Sequence, residues 1–129
     1  MIIDMLTMLP GILIALTFHE FAHGLAAYAM GDDTAKNAGR LSLDPMKHID
    51  PIGFIMLFIM RFGWAKPVPI NPNNFRDGRK GVMWVSLAGP LSNIFVAILA
   101  AIFISLPTYL KHSEPEKSNK TKMQYWKQK

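Results

Sequence analysis

The chain has 129 residues and no cysteine, half of its residues are hydrophobic, and its formal charge is +5. That length holds at most one domain, and the lack of cysteine excludes disulfides and thiolate zinc ligands. Six of the fourteen basic residues fall in the last nineteen positions, outside every apolar run, which fits lysines facing anionic lipid headgroups and gives no nucleic-acid signal.

The first predicted element is a membrane helix over residues 5–30, long enough to cross a hydrocarbon core of about 30 Å. The start of the chain does not read as a cleavable signal peptide, because Asp4 stands where a basic region is needed. Pro10-Gly11 predicts a kink or a late helix start. Within this helix His19, Glu20 and His23 form a His-Glu-x-x-His pattern. Residues i and i+4 share a helix face, so both imidazoles reach one metal ion, with Glu20 beside them. Met5 to Phe18 carries no charge, and Phe21 to Gly31 has only His23. No solvated face exists to explain the trio, and an ionisable cluster at membrane depth marks a functional site. With cysteine absent, zinc is held by imidazole and carboxylate, the donor set of catalytic sites.

Gly31-Asp32-Asp33-Thr34 is expected to end the helix, and Asn37-Ala38-Gly39-Arg40 has turn chemistry. Leu41-Ser42-Leu43-Asp44-Pro45 alternates briefly and fits a short strand or a loop. Pro51 to Met60 offers ten uncharged residues before Arg61, short for a span and typical of a tilted, re-entrant or incomplete crossing. Three prolines at 67, 69 and 72 forbid helix and impose an extended chain, either a connector or one wall of a substrate groove. Residues 81–110 carry no charge and are interrupted once, by Gly89-Pro90; they predict the second long membrane helix. Residues 111–129 read as a polar, disordered tail. The expected fold is an all-α membrane protein with two long transmembrane helices, a short or re-entrant helix, and room for a short strand pair in the loops. The membrane core is placed at 1–110. With three crossings, nine Lys/Arg lie on the side of the 31–50 loop and tail against five on the other, which puts the tail in the cytoplasm. Met46, Met56 and Met60 read as packing filler.

Four stretches in order, covering about residues 10–100, make the chain resemble the site-2 protease family of intramembrane zinc metalloproteases, particularly its small bacterial members. They are Phe18-His19-Glu20-Phe21-Ala22-His23-Gly24; Gly39-Arg40-Leu41-Ser42-Leu43-Asp44-Pro45 leading to His48-Ile49-Asp50-Pro51-Ile52-Gly53; Gly63-Trp64-Ala65-Lys66-Pro67-Val68-Pro69-Ile70-Asn71-Pro72; and Leu87-Ala88-Gly89-Pro90-Leu91-Ser92-Asn93. The resemblance implies that His19 and His23 bind zinc and that Glu20 is the general base. It implies a multi-pass protein of the bacterial plasma membrane, whose partner is a transmembrane protein substrate cut within the bilayer after local unwinding. A protein edge that pairs with the freed strand would help. Asn93, four residues beyond Gly89, is a candidate substrate-contacting residue on that resemblance, or else makes an interhelical hydrogen bond.

The family takes its third zinc ligand from an aspartate in a later apolar segment, and after Leu110 this sequence turns lysine-rich. The expectation is therefore a C-terminally truncated member with two of the three ligands a catalytic zinc needs. Asp50, Asp44 and His48 are the remaining candidates, along with a partner chain or water. Asp50 before Pro51 reads better as a helix cap, and His48 as a loop or headgroup-level histidine. The rival to a protease is an inactive homologue that binds partners, or zinc weakly.

Overall fold

A computed structural model describes residues 1–113 and 124–127. The helices are α1 (Ile2–Ala29), α2 (Thr34–Asn37), α3 (Pro51–Met60) and α4 (Gly78–Ser113), with single 3-10 turns at Pro45–Lys47 and Pro72–Asn74. The chain is an all-α membrane protein: α1 and α4 are both long and apolar enough to cross a bilayer. Met1–Val96 forms one compact unit and Ala97–Lys129 a second. In the first unit large side chains such as Ile3 and Phe95 stand exposed, as does Phe103 in the second. Exposed apolar side chains of this size and number suit hydrocarbon rather than water.

The helix α1 starts at Ile2 and runs through Pro10. The late start that Pro10-Gly11 suggested does not occur, because an interior proline deletes one backbone hydrogen bond and the turns on either side still form. The C-terminus of α1 closes where expected. The Gly31 amide reaches Tyr28 O (3.1 Å) and the Asp32 amide reaches Ala27 O (2.9 Å), with Gly31 at φ +104°.

Asp32 then ties this turn to the proline-rich segment. Its fully buried carboxylate accepts from the Thr34 amide (3.1 Å) and hydroxyl, the Asn71 amide (2.8 Å) and the Asn74 side-chain amide (3.0 Å). Burial pushes its pKa up, but the hydrogen bonds from Thr34, Asn74 and Asn71 outweigh that and lower it to about 2. Arg40 adds a second tie, donating to Lys66 O (2.7 Å) and Pro67 O (3.3 Å). The Lys66 amide adds a third, to His48 O (2.9 Å). The segment 65–71 is thus an extended strap clamped onto the 31–50 loop.

The residues 41–45 form no strand. The Asp44 amide donates to Ser42 Oγ (3.1 Å), the Asp44 carboxylate caps the 3-10 turn through Met46 N (3.0 Å), and His48 Nε2 donates to Ser42 O (2.7 Å). These local and side-chain bonds take up groups a ladder would need. The strand pair reduces to one antiparallel bridge, Ile49 to Ala65, since Pro51 starts a helix on one side and Pro67 lacks an N–H on the other.

Asp50 caps α3 as its position before Pro51 suggests, accepting from Ile52 N (2.9 Å) and Gly53 N (3.0 Å). The helix stops after ten residues at Arg61, in the left-handed conformation. Ten residues reach only about 15 Å, half the hydrocarbon thickness. The returning chain lies so close that a Cβ on Gly53 would collide with Trp64 O.

A small core of Ala27, Phe75 and Val85, joined by Ala26, Met30 and Ile70, seats the end of α1 and the strap against the start of α4. The helix α4 passes uninterrupted through Gly89-Pro90 and continues to Ser113. Of the predicted polar tail, 111–113 finish α4 and 124–127 are helical, whereas 114–123 and 128–129, on which the expectation of disorder also falls, lie outside the described residues.

Candidate metal centre

The i, i+4 spacing on α1 brings His19 Nε2 and His23 Nε2 to 3.1 Å, with the rings nearly perpendicular at 82°. Two nitrogens at zinc distances of 2.0–2.1 Å in tetrahedral array stand about 3.3 Å apart, so the pair already has close to the separation that ligation requires.

The helix α4 holds the pair from the other side with one face, Val85, Gly89 and Asn93, at successive four-residue steps. His23 Nδ1 donates to Val85 O at 2.6 Å. A carbonyl only accepts, so the proton sits on Nδ1 and Nε2 is the free donor atom, the orientation that outer-shell carbonyls give metal-binding histidines. Asn93 lies 3.2 Å from His19 Nδ1 through its amide nitrogen. Between them Gly89 lets the α4 backbone approach: a Cβ there would stand 2.7 Å from His19 Nε2 and closer still to His23 Nε2. All three residues of the α1 motif are half-buried. Glu20 points to the strap, its Oε2 accepting from the Val68 amide at 3.2 Å.

The sequence-derived candidates therefore separate. His19, His23 and Asn93 meet at one point, and Glu20 borders it through Val68. Asp50 and Asp44 do not join them: each carboxylate is engaged as a cap. His48 is a fully buried loop histidine, with Nε2 on Ser42 O and Nδ1 unpartnered. Among the described residues no group of three His, Cys, Asp or Glu side chains is placed to hold a metal. Residue types alone did not reveal the part played by Val85 and Gly89. Their spacing in steps of four before Asn93 was the available signal, but Gly89-Pro90 read as an interruption instead.

The donor set fits zinc as far as it goes, with two imidazoles converging through Nε2 and the Nδ1 of His23 held by the Val85 carbonyl. Two apolar helices carrying a His-Glu-x-x-His site define the class, a membrane protein of metalloprotease type. Over 95 residues, 74% of its length, the chain is 44% identical to the Bacillus subtilis (strain 168) protein named "Putative zinc metalloprotease YwhC". Over 97 residues, 70% of its length, it is 35% identical to Rip2 of Mycobacterium tuberculosis (strain ATCC 25618 / H37Rv) and 33% identical to Rip2 of Mycolicibacterium smegmatis, which share the same zinc metalloprotease title. The chain belongs to the site-2 protease family. It spans 43% of YwhC and 37% of each Rip2, less than half the length of the curated relatives it matches. No family model and no solved structure gives a match.

Proposed function

We propose that this chain carries the paired-imidazole part of an intramembrane zinc metalloprotease that hydrolyses peptide bonds of transmembrane proteins. The 3.1 Å convergence of His19 and His23 Nε2 on α1 carries the reading. His19 and His23 would hold zinc, which when bound polarises a carbonyl and acidifies water toward neutral pH. Val85 keeps the His23 ring in its ligating tautomer. Glu20 takes a proton from the attacking water and returns it to the leaving amine, and its bond to Val68 keeps it at the edge of the site until a substrate arrives. The strap at 65–71, extended and proline-rich, would run beside an unwound substrate segment. On this reading the reaction runs in the bilayer of a bacterial plasma membrane, which the apolar flanks of α1 and α4 support.

A second reading, an inactive homologue that binds partners or holds zinc weakly, draws support from the lack of a third His, Asp or Glu at the pair among the described residues. One experiment separates the two. The 129-residue chain in detergent is compared with a version extended by an apolar segment carrying Leu-Asp-Gly. We expect the chain alone to show little cleavage of a single-span reporter. The extension should tighten zinc binding and bring cleavage, and Glu20→Gln in the extended chain should keep the metal and lose cleavage, since an amide takes no proton. Cleavage that survives Glu20→Gln contradicts the proposed mechanism. Tight zinc without cleavage in the extended chain favours the second reading.

A further inference from the structure

The side chains of α1 and α3 leave a groove between the two helices. Its outer part, about 290 Å³, is walled by Met5, Met8 and Phe58, with Asp4 and Arg61 at the rim. Its inner part, about 150 Å³, is walled by Leu13, Leu16, Phe54 and Trp64. Leu9, Ile12 and Leu57 line both parts, so the two form one channel. Below the rim no charged side chain lines it. The inner end is walled by the tight crossing of α3 with its returning chain, where a Cβ on Gly63 would meet Gly53 O.

The length of the groove points to what fills it. From Asp4 to Leu16 α1 rises about 18 Å, and α3 beside it rises about 15 Å. One leaflet of a hydrocarbon core is about 15 Å thick. The groove therefore runs from headgroup depth to near the midplane, which is the reach of one acyl chain. A transmembrane helix needs both leaflets and would outrun it.

The rim adds a headgroup contact. Asp4 is paired with the amino group of Met1 at 3.0 Å. Arg61 has no carboxylate in ion-pair range among the described residues, and its guanidinium donates to Met1 Sδ. It also holds the left-handed backbone at the end of α3, φ 56°, a conformation that helix ends usually give to glycine. A guanidinium without a counter-charge, above an apolar channel, matches a phosphodiester above an acyl chain.

We propose that the groove between α1 and α3 binds one phospholipid of the bilayer, with an acyl chain along Ile12 and Leu57 and the phosphate on Arg61. The end of that chain lies against Leu16 and Trp64. Leu16 comes three residues before His19, and Trp64 adjoins the strap. The lipid thus fills the space between α3 and the helix that carries the imidazole pair. The inference needs only the membrane assignment and stands apart from the zinc reading.

The test uses the full chain in detergent, with Trp84→Phe and Trp126→Phe so that Trp64 alone fluoresces. Phosphatidylglycerol brominated near the ends of its acyl chains is titrated in, and quenching should saturate at one lipid per chain. Arg61→Asn removes the charge and suits the left-handed backbone; it should weaken binding about 10-fold, the effect of losing a charge-assisted hydrogen bond. Ile12→Phe fills the channel where its two parts join and should weaken binding at least as much. Brominated diacylglycerol, with the same chains and no phosphate, should also bind about 10-fold more weakly than the phospholipid. Quenching that never saturates, or that is the same for wild type, Arg61→Asn and Ile12→Phe, overturns the proposal. Displacement of the lipid by an equimolar single-span helical peptide, or by self-association of the chain into a dimer, gives the groove to a polypeptide and also overturns it. If Ile12→Phe does not fold, the diacylglycerol comparison decides: binding equal to that of phosphatidylglycerol overturns the proposal.

Discussion

Gly89→Ala is the smallest change that should separate metal binding from folding. On folding alone the substitution looks favourable, because alanine is better than glycine in a helix by about 1 kcal/mol. Against that, the added Cβ would stand 2.7 Å from both Cε1 and Nε2 of His19, and nearer still to His23 Nε2. The His23 ring cannot simply swing away, since its Nδ1 is held by Val85 O at 2.6 Å. Either α4 moves outward or the rings spread beyond the separation a single zinc tolerates. Overpacking of this kind costs roughly 1–3 kcal/mol, and much of it falls on the bound geometry. The expected result is zinc affinity reduced about 5- to 100-fold with a thermal midpoint within a few degrees of wild type. Both are measured on the detergent-purified chain, by chelator competition and by thermal unfolding followed through helical circular dichroism. A Gly89→Ala chain that binds zinc as tightly as wild type would refute the claim that α4 closes directly over the imidazole pair.

The Asp32 tie should show in stability and in its pH dependence. Asp32→Ala leaves the Asn71 amide and its neighbours unpaired and should cost on the order of 3 kcal/mol, seen as a lower unfolding midpoint. Because its folded pKa is depressed to about 2, its contribution is fully present above about pH 4 and fades as pH falls toward 2; Asp32→Asn should remove that slope. Gly53→Ala should destabilise the chain by forcing Trp64 O away from α3, a loss read in the same thermal scan. The chain should also resist extraction by alkaline carbonate, since α1 and α4 leave large apolar side chains uncovered, and release as a soluble monomer would contradict the membrane assignment.

Local chemistry was readable in the sequence, and long-range closure was not. The two long helices follow from uninterrupted apolar runs, and α3 from its Asp50-Pro51 start and its ten-residue limit. The imidazole pair follows from four-residue spacing, which a helix turns into proximity with no tertiary information. Pro10 left two outcomes open, because a proline signal is the same whether a helix bends through it or begins after it, and the helix begins before it. The alternation at 41–45 left strand and loop open, and the loop forms because a strand needs a partner. His48, Asp44 and Ser42 close that loop on itself, and Pro51 and Pro67 limit pairing to one bridge. Asp32 looked like a turn residue; two of its four hydrogen bonds are local, to Thr34, but the other two reach Asn71 and Asn74, some 40 positions away, and no local pattern encodes those. The same holds for Val85 and Gly89, whose roles exist only once α4 lies against α1.

The central claim, that His19 and His23 converge on one zinc ion, is tested most directly by metal analysis of the purified chain. Wild type and Glu20→Gln should each hold up to one zinc per chain when saturated, and the His19→Ala, His23→Ala double variant should hold none above background. Zinc at the wild-type level in the double variant would contradict the account.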